Sequence, residues 1–239
     1  MPDQNEEMYY HYLSDKNAID DLEKQHMRVS TLDTLNDPFE MKPYLRYDRR
    51  GRRPYDDLYR KIKEKWGLLC FTQGWSEPLL WSHYAGKHKG IALGFEILRG
   101  EVLKVEYTPE LKRQKIRLTG DSETDERSFL DLAKVKYKEW EYENEYRILV
   151  ELKDCPPDDK GRHFLRFGNR LRVREIVLGC KFDHKGKFGD NKERKKDIVI
   201  RLAEKLGAGV TATREQWEGY EIVPCGYTNN KYYAEVQTR

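Results

Sequence analysis

The residue types best suited to chemistry sit at the head of one stretch, residues 141–150 (EYENEYRILV). From Tyr146 the pattern alternates, sending Tyr146, Ile148 and Val150 to one face and Glu145, Arg147 and Leu149 to the other. That is the period of a β-strand. With the apolar face in a core, the other face carries a carboxylate beside an arginine at the start of a strand. From there an acid can reach into a cleft. The plain alternative is a solvated strand end with a surface pair, because most exposed charge is only solvated. Two further stretches carry reactive or ring-bearing types: Tyr9-Tyr10-His11-Tyr12, and residues 68–96, which read as strand, short helix, strand. At helical spacing Leu80, Tyr84 and His88 share one side of that helix, with Trp81 and Ala85 beside them. A packing account puts Trp81 and Tyr84 in the core and leaves His83 and His88 at the surface.

The chain that must position these groups has 239 residues, 38% hydrophobic and 36% charged. It is long enough to bury a real core under a heavily charged surface. A net charge of +3 gives no global field for nucleic acid. Basic charge is local instead: Arg46, Arg49, Arg50, Arg52 and Arg53, then Lys112, Arg113, Lys115 and Arg117, then residues 192–196. Such clusters are solvated faces or phosphate contacts. Cys70, Cys155, Cys180 and Cys225 show no metal-ligand spacing, which argues against a zinc site. Cys70 and Cys180 lie in apolar runs and read as buried thiols. No signal peptide and no apolar run of membrane-spanning length stands out. The expectation is a soluble cytoplasmic protein with no membrane contact.

Periodicity and turn residues predict strands at 8–13, 27–32, 67–72 and 91–96, with 101–107 as hairpin partner of the last. Further strands are predicted at 163–167, 173–182, 210–217 and 220–227. Helices are predicted at 17–25, 55–66, 126–137 and 190–206. Another, capped by Ser76 with Pro78 in its first turn, runs to about Ala85. Asn36, Asp37 and Pro38 mark a turn, and 44–55 reads as a basic loop. Strands without regular βαβ alternation favour α+β, a mostly antiparallel split sheet with flanking helices. Residues 1–160 are expected to form the core, which 161–239 complete or decorate.

The order of these elements resembles the ADP-ribosyltransferase superfamily, in particular its poly(ADP-ribose) polymerase and diphtheria-toxin branch. That branch has a histidine on an early strand, tyrosines on a strand–helix segment and a catalytic glutamate on a late strand. The polymerases carry the glutamate in an Asn-Glu-Tyr triplet, and Asn144-Glu145-Tyr146 stands here at a strand start. Tyr12 follows His11 where the polymerases have glycine, a departure from the pattern. The NDPFE turn (Asn36 to Glu40), the WSHYAGKHKG segment and the ENEYR segment together are also similar to a widespread bacterial family of uncharacterised domains met near phage-defence genes.

The first resemblance implies NAD as substrate, with Glu145 as the catalytic carboxylate. It implies that His11 holds the adenosine-side ribose, and that Tyr84, with Phe71, stacks on the nicotinamide. Arg147 and Lys89, with Lys87 or Arg28, are candidates for the pyrophosphate. No metal is needed. Cleavage of the nicotinamide–ribose bond builds positive charge on the sugar, which a carboxylate stabilises where water is sparse. The acceptor is then water, nucleic acid or protein, and a toxin or defence effector would have an antitoxin or sensor partner. Two other readings stand beside it. One is a metal-dependent nuclease using Glu96, Glu101 and Lys104 on a hairpin, with Asp37 and Glu40. The other is a non-enzymatic nucleotide-sensing or interaction module.

Overall fold

A computed structural model describes residues 6–41, 52–110, 121–188 and 193–225. Of the basic clusters, Arg46, Arg49, Arg50, the 112–117 group and Lys192 lie outside the described residues, as do the side chains of Arg52 and Arg53. In chain order the elements are β1 (Glu6–Leu13), α1 (Asp15–Lys24), β2 (His26–Thr31), α2 (Arg52–Lys65), β3 (Trp66–Thr72), α3 (Pro78–Tyr84) and β4 (Ile91–Leu98). Then come β5 (Leu103–Lys104), β6 (Glu106–Thr108), α4 (Ser122–Leu130), β7 (Val135–Tyr137), β8 (Glu145–Glu151) and β9 (His163–Arg166). The last are β10 (Arg172–Leu178), β11 (Lys187–Phe188), β12 (Glu193–Arg194), α5 (Lys195–Leu206), β13 (Gly209–Glu215) and β14 (Ile222–Pro224). The fold is mixed α+β, with mostly antiparallel sheet and flanking helices. Among the described residues no helix is long and apolar enough to cross a membrane.

The chain divides into two compact units. The first comprises Met1–Met27, Phe71–Glu101 and Arg166–Arg239. Its strands run β14-β13-β10-β4-β1. β1 pairs along its whole length with β4, His11 opposite Leu93 and Tyr10 opposite Gly94, and Tyr10 also pairs with Thr72 at the end of β3. β10 and β13 are parallel; a parallel pair needs a crossover connection, and α5 supplies it. The apolar stripe Ile198, Val199, Leu202 and Ala203 of α5 is buried, and Gly207 ends the helix in the left-handed conformation. The second unit comprises Arg28–Cys70 and Val102–Leu165. There β3 pairs with β2 and β8, β8 pairs with β5, and β6 runs parallel to β7. Leu32, Met41, Ile62, Leu68, Leu132 and Ala133 form one of its apolar clusters.

Several elements depart from the sequence reading. Residues 101–107 are not a hairpin partner of β4, because β1 and β10 occupy both of its edges. Leu103–Lys104 pairs with β8 instead, and Glu106–Thr108 with β7. The expected helix over 126–137 stops at Leu130; a 3₁₀ turn follows and then β7, which turns Lys136 inward. The α3 cap is Glu77, whose carboxylate accepts from Leu79 N, and not Ser76. Helix α3 ends at Tyr84, so His88 is not on its face but in a turn where Gly86, Lys87 and His88 all have positive φ. Cys180 is half-buried and Cys155 is fully buried, while Cys70, half-buried as a residue, turns its thiol inward against Glu145.

Candidate functional site

The segment 80–90, rich in rings and histidines, has a backbone explanation within the first unit. Trp81 is fully buried, donates Nε1–H to Trp75 O at 2.7 Å and stands edge-on to Tyr12 at 5.0 Å. A Cβ on Gly90 would lie 2.1 Å from Leu13 O, and one on Gly179 would lie 2.3 Å from His88 O. Both glycines therefore allow backbone to meet backbone. Gly179 N–H donates to Gly90 O, and Lys181 N–H to His88 O, each at 3.0 Å. His11 is half-buried, with its ring edge-on to Phe71 at 6.1 Å; Phe71 in turn stands edge-on to Phe95 at 5.8 Å. Tyr84 is half-buried at the end of α3, and Lys89 is exposed in the turn that follows. Thus His11, Phe71, Tyr84 and Lys89 belong to the first unit, and Glu145 and Arg147 to the second.

The opposite face of β1 carries a second polar group. Tyr10 O–H donates to Glu175 Oε2 at 2.8 Å, and Thr211 Oγ1–H to Glu175 Oε1 at 2.5 Å. Tyr12, two residues on, is 7% exposed, and its hydroxyl has no hydrogen-bond partner among the described residues. Burial, and then the charges of Glu175 for Tyr10 and Glu77 for Tyr12, push both phenols up.

The head of β8 is where the structure departs furthest from a solvated strand end. Glu145 is 4% exposed and Arg147 is 0% exposed, so both faces of the strand are buried. The chain reaches β8 through a 3₁₀ turn (Lys138–Glu143) that ends on Asn144 with φ 40°, ψ 55°. Asn tolerates this left-handed conformation better than most residues. The turn sets Glu143 and Glu145 on either side of Asn144. Glu145 N–H donates to the Tyr107 hydroxyl at 2.8 Å, and Val105 N–H to Glu145 O at 2.9 Å, which pins the start of the strand.

Five buried charged side chains meet there, all in the second unit: Glu40, Lys136, Glu143, Glu145 and Arg147. Arg147 donates Nε–H to Glu145 Oε1 at 2.7 Å and Nη2–H to Oε2 at 2.8 Å, a two-pronged grip. Its Nη2 also reaches Glu40 Oε1 at 3.1 Å, and its Nη1 donates to Ala133 O at 2.9 Å. Lys136 Nζ donates to Glu145 Oε2 at 2.9 Å and to Glu143, and lies 3.1 Å from Glu40 Oε1. The ring of Trp140 sits 5.1 Å below the same ammonium. Burial alone would raise Glu145, but Arg147 and then Lys136 outweigh it and hold the carboxyl down at about 2. For Glu40 burial wins over the same two cations and pushes the carboxyl up. Burial, helped by the Glu145 charge, also lifts the Cys70 thiol well above its ordinary value; that thiol is hydrogen-bonded to Glu145. Tyr107 is pushed up to about 12, chiefly by burial.

Lys136 and Glu143 were not singled out in the sequence, although the alternation Val135-Lys136-Tyr137 was a signal that could have found the first. Glu40 was expected as a metal ligand and as the end of the NDPFE turn. In the structure it lies against Arg147 and Lys136; of the other carboxylates of that expectation, Glu96 meets Arg172 and Arg174, Glu101 meets Arg170, and the buried Asp37 accepts from Phe39 N at 2.8 Å. Among the described residues one group has metal-ligand spacing, Asp20, Asp21 and His26. His26 Nε2 lies 3.4 Å from Asp21 Oδ1 and 4.0 Å from Asp20 Oδ2, which is also the geometry of a histidine–carboxylate pair.

Residues 80–148 match the model of a family described as a protein of unknown function (DUF2971). The matched stretch begins inside α3 and ends at Ile148 of β8, so it includes Lys136, Glu143, Glu145 and Arg147 of the ion network. Over these residues the chain is similar to an uncharacterised domain family. Curated proteins and solved structures give no match.

Proposed function

We propose that the chain is an NAD-using ADP-ribosyltransferase or NAD glycohydrolase, with Glu145 as its charge-bearing carboxylate. The observation that carries this reading is the electrostatic state of Glu145. It is desolvated, yet held ionised at about 2 by Arg147 and Lys136. A carboxylate held so low is a poor proton acceptor near neutral pH. It suits a reaction in which positive charge develops beside it. In that reaction the bond between ribose C1′ and the nicotinamide nitrogen breaks, and its electron pair leaves with the ring as neutral nicotinamide. The cationic sugar is then taken by a hydroxyl of water or of a macromolecular acceptor, whose proton goes to solvent. Turnover requires a ribose hydroxyl to replace Lys136 on Glu145 Oε2, while Arg147 keeps its hold on Oε1. The resemblance also assigns NAD contacts to His11, Phe71, Tyr84 and Lys89, which lie in the first unit.

A second reading, a non-enzymatic nucleotide-sensing or interaction module, is favoured by one observation: both oxygens of Glu145 are already engaged by cations. Nicotinamide release separates the two. The full chain is incubated with NAD, alone and with nucleic acid or protein acceptors, and free nicotinamide is measured. Release that survives excess chelator and falls by about 10²–10³ in Glu145→Gln is expected, the cost of removing one electrostatic stabiliser. Tyr84→Ala, outside the ion network, should raise KM with the fold intact. No release by the parent chain under any of these conditions, or full activity in Glu145→Gln, would overturn the proposal.

A further inference from the structure

The hairpin β13–β14 ends in a small aromatic tip. Thr213 pairs with Pro224, Arg214 with Val223 and Glu215 with Ile222. One further bond, Gln216 N–H to Glu221 O at 3.0 Å, closes a loop of Trp217, Glu218, Gly219 and Tyr220. The base is fixed: Ile222 is 3% exposed and donates its N–H to Ser76 O at 2.9 Å. The tip is not. Trp217 is 88% exposed and Tyr220 is 96% exposed, the two most exposed large apolar side chains among the described residues. A single surface aromatic needs no explanation, but two at the first and last positions of a closed four-residue loop form a patch. Indole and phenol rings of this kind are the side chains most enriched in the energetic centres of interfaces.

The charge beside the rings selects the partner. Glu218 lies between them, Glu221 follows Tyr220, and both are exposed; at the base Arg214 sits beside Glu215, which is already engaged by Cys180 and Lys181, so the two carboxylates of the tip itself set the local sign. A loop with this surround repels phosphates and favours cations. Aromatic faces with carboxylates at their rim suit lysine or arginine side chains, which take cation–π contacts and ion pairs together. We infer that the Trp217–Tyr220 tip is a docking finger for a lysine- or arginine-bearing segment of another protein. The inference is independent of the NAD chemistry, since it uses no residue assigned there.

Fluorescence anisotropy of labelled oligolysine and oligoarginine peptides against the full chain tests it, with oligoglutamate and a single-stranded oligonucleotide as counter-probes. The expected result is binding of the cationic peptides that weakens about tenfold in Trp217→Ala/Tyr220→Ala. Glu218→Gln/Glu221→Gln should weaken it by a smaller, salt-dependent factor. Both variants should keep the parent's unfolding midpoint, because the changed side chains are exposed. Equal affinity in the parent and the aromatic variant, or no cationic binding at all, would refute the finger. So would an oligonucleotide complex, or a dimer seen by light scattering, that the aromatic variant abolishes, since the occupant would then be nucleic acid or a second copy.

Discussion

Replacing Arg147 by methionine gives the sharpest test of the ion network. The methionine chain retains much of the arginine's length and apolar stem, so the change removes charge and hydrogen bonds more than volume. Four bonds go: two to Glu145, one to Glu40 and one to Ala133 O. Glu145 keeps Lys136, which it shares with Glu143 and Glu40. Removing one partner of a buried pair costs about 3–5 kcal/mol. In a chain of this size that lowers the unfolding midpoint by roughly 6–20 °C. Glu145→Gln is expected to cost a similar amount, because it leaves Arg147 and Lys136 facing one carboxylate fewer. The double variant removes one charge of each sign and leaves Lys136 still paired with Glu143 and Glu40. Its loss should fall short of the sum of the single losses by about 1.5–3 kcal/mol, the coupling expected of groups in direct contact. Urea unfolding of the four proteins, read from midpoint and slope, measures this directly. Additivity to within about 0.5 kcal/mol would mean that the two side chains do not interact, and the account of the network would fail.

The two perturbed carboxyls give opposite dependences on pH. Glu145 is held at about 2 against an ordinary 4.5, so its contribution is complete above 4.5 and is lost as pH falls through that window. Acid titration of stability should therefore be flatter in Glu145→Gln than in the parent between those values. Glu40 is raised above 4.5, so the folded state favours its protonated form and loses stability as pH rises past 4.5. Glu40→Gln, a neutral mimic of that form, should flatten this limb above pH 4.5; a limb unchanged by the substitution would show that Glu40 does not produce it. On β1 the two tyrosines should respond differently to loss of the hydroxyl. Tyr12→Phe removes a buried donor without a partner and should be neutral or stabilising by up to about 1 kcal/mol, whereas Tyr10→Phe leaves Glu175 short of a donor and should cost about 1–3 kcal/mol in the same urea assay.

Most of the secondary structure was legible because local pattern and tertiary demand agree. β1, β3 and β4 are runs of strand length rich in aromatic or aliphatic residues, and α5 carries a clean apolar stripe with glycine after it. The failures came where pairing over long range decides. Nothing local in residues 101–107 says that both edges of β4 are taken by strands from elsewhere in the chain. Residues 135–137 carry a helical continuation of α4 as well as a strand, and the buried carboxylates that receive Lys136 settle it as β7. The alternation in β8 marks it as a strand. It did not reveal that the polar face is as buried as the apolar one, because burial of charge depends on partners at Glu40 and Lys136 that lie far off in sequence or on another element. WSHYAGKHKG shows the reverse: Gly90 and buried Trp81 serve backbone contacts and Gly86 a turn of positive φ, whatever chemistry Tyr84 and Lys89 add.

Stability alone does not explain why a chain would carry this network. Taking each ion out of water costs several kcal/mol, and apolar side chains of the same size generally fill such space with equal or greater stability. What ions supply is fixed position and fixed charge. Arg147 grips Glu145 through both oxygens, Tyr107 holds its backbone N–H, and Asn144 turns the chain so that Glu143 and Glu145 meet the same ammonium. Burial pushes the Glu40 carboxyl up, while Glu143 and Glu145 share the cations Lys136 and Arg147. The head of β8 is then an assembly in which Glu145 stays ionised at any pH near neutrality. Such a group cannot serve as a proton shuttle there, but exchanging one cation for a developing positive charge on a bound molecule leaves its charge balance unchanged. That property ties the burial of Glu145 to the proposed chemistry, and it makes Lys136, which holds one oxygen by a single bond, the member of the network that must give way.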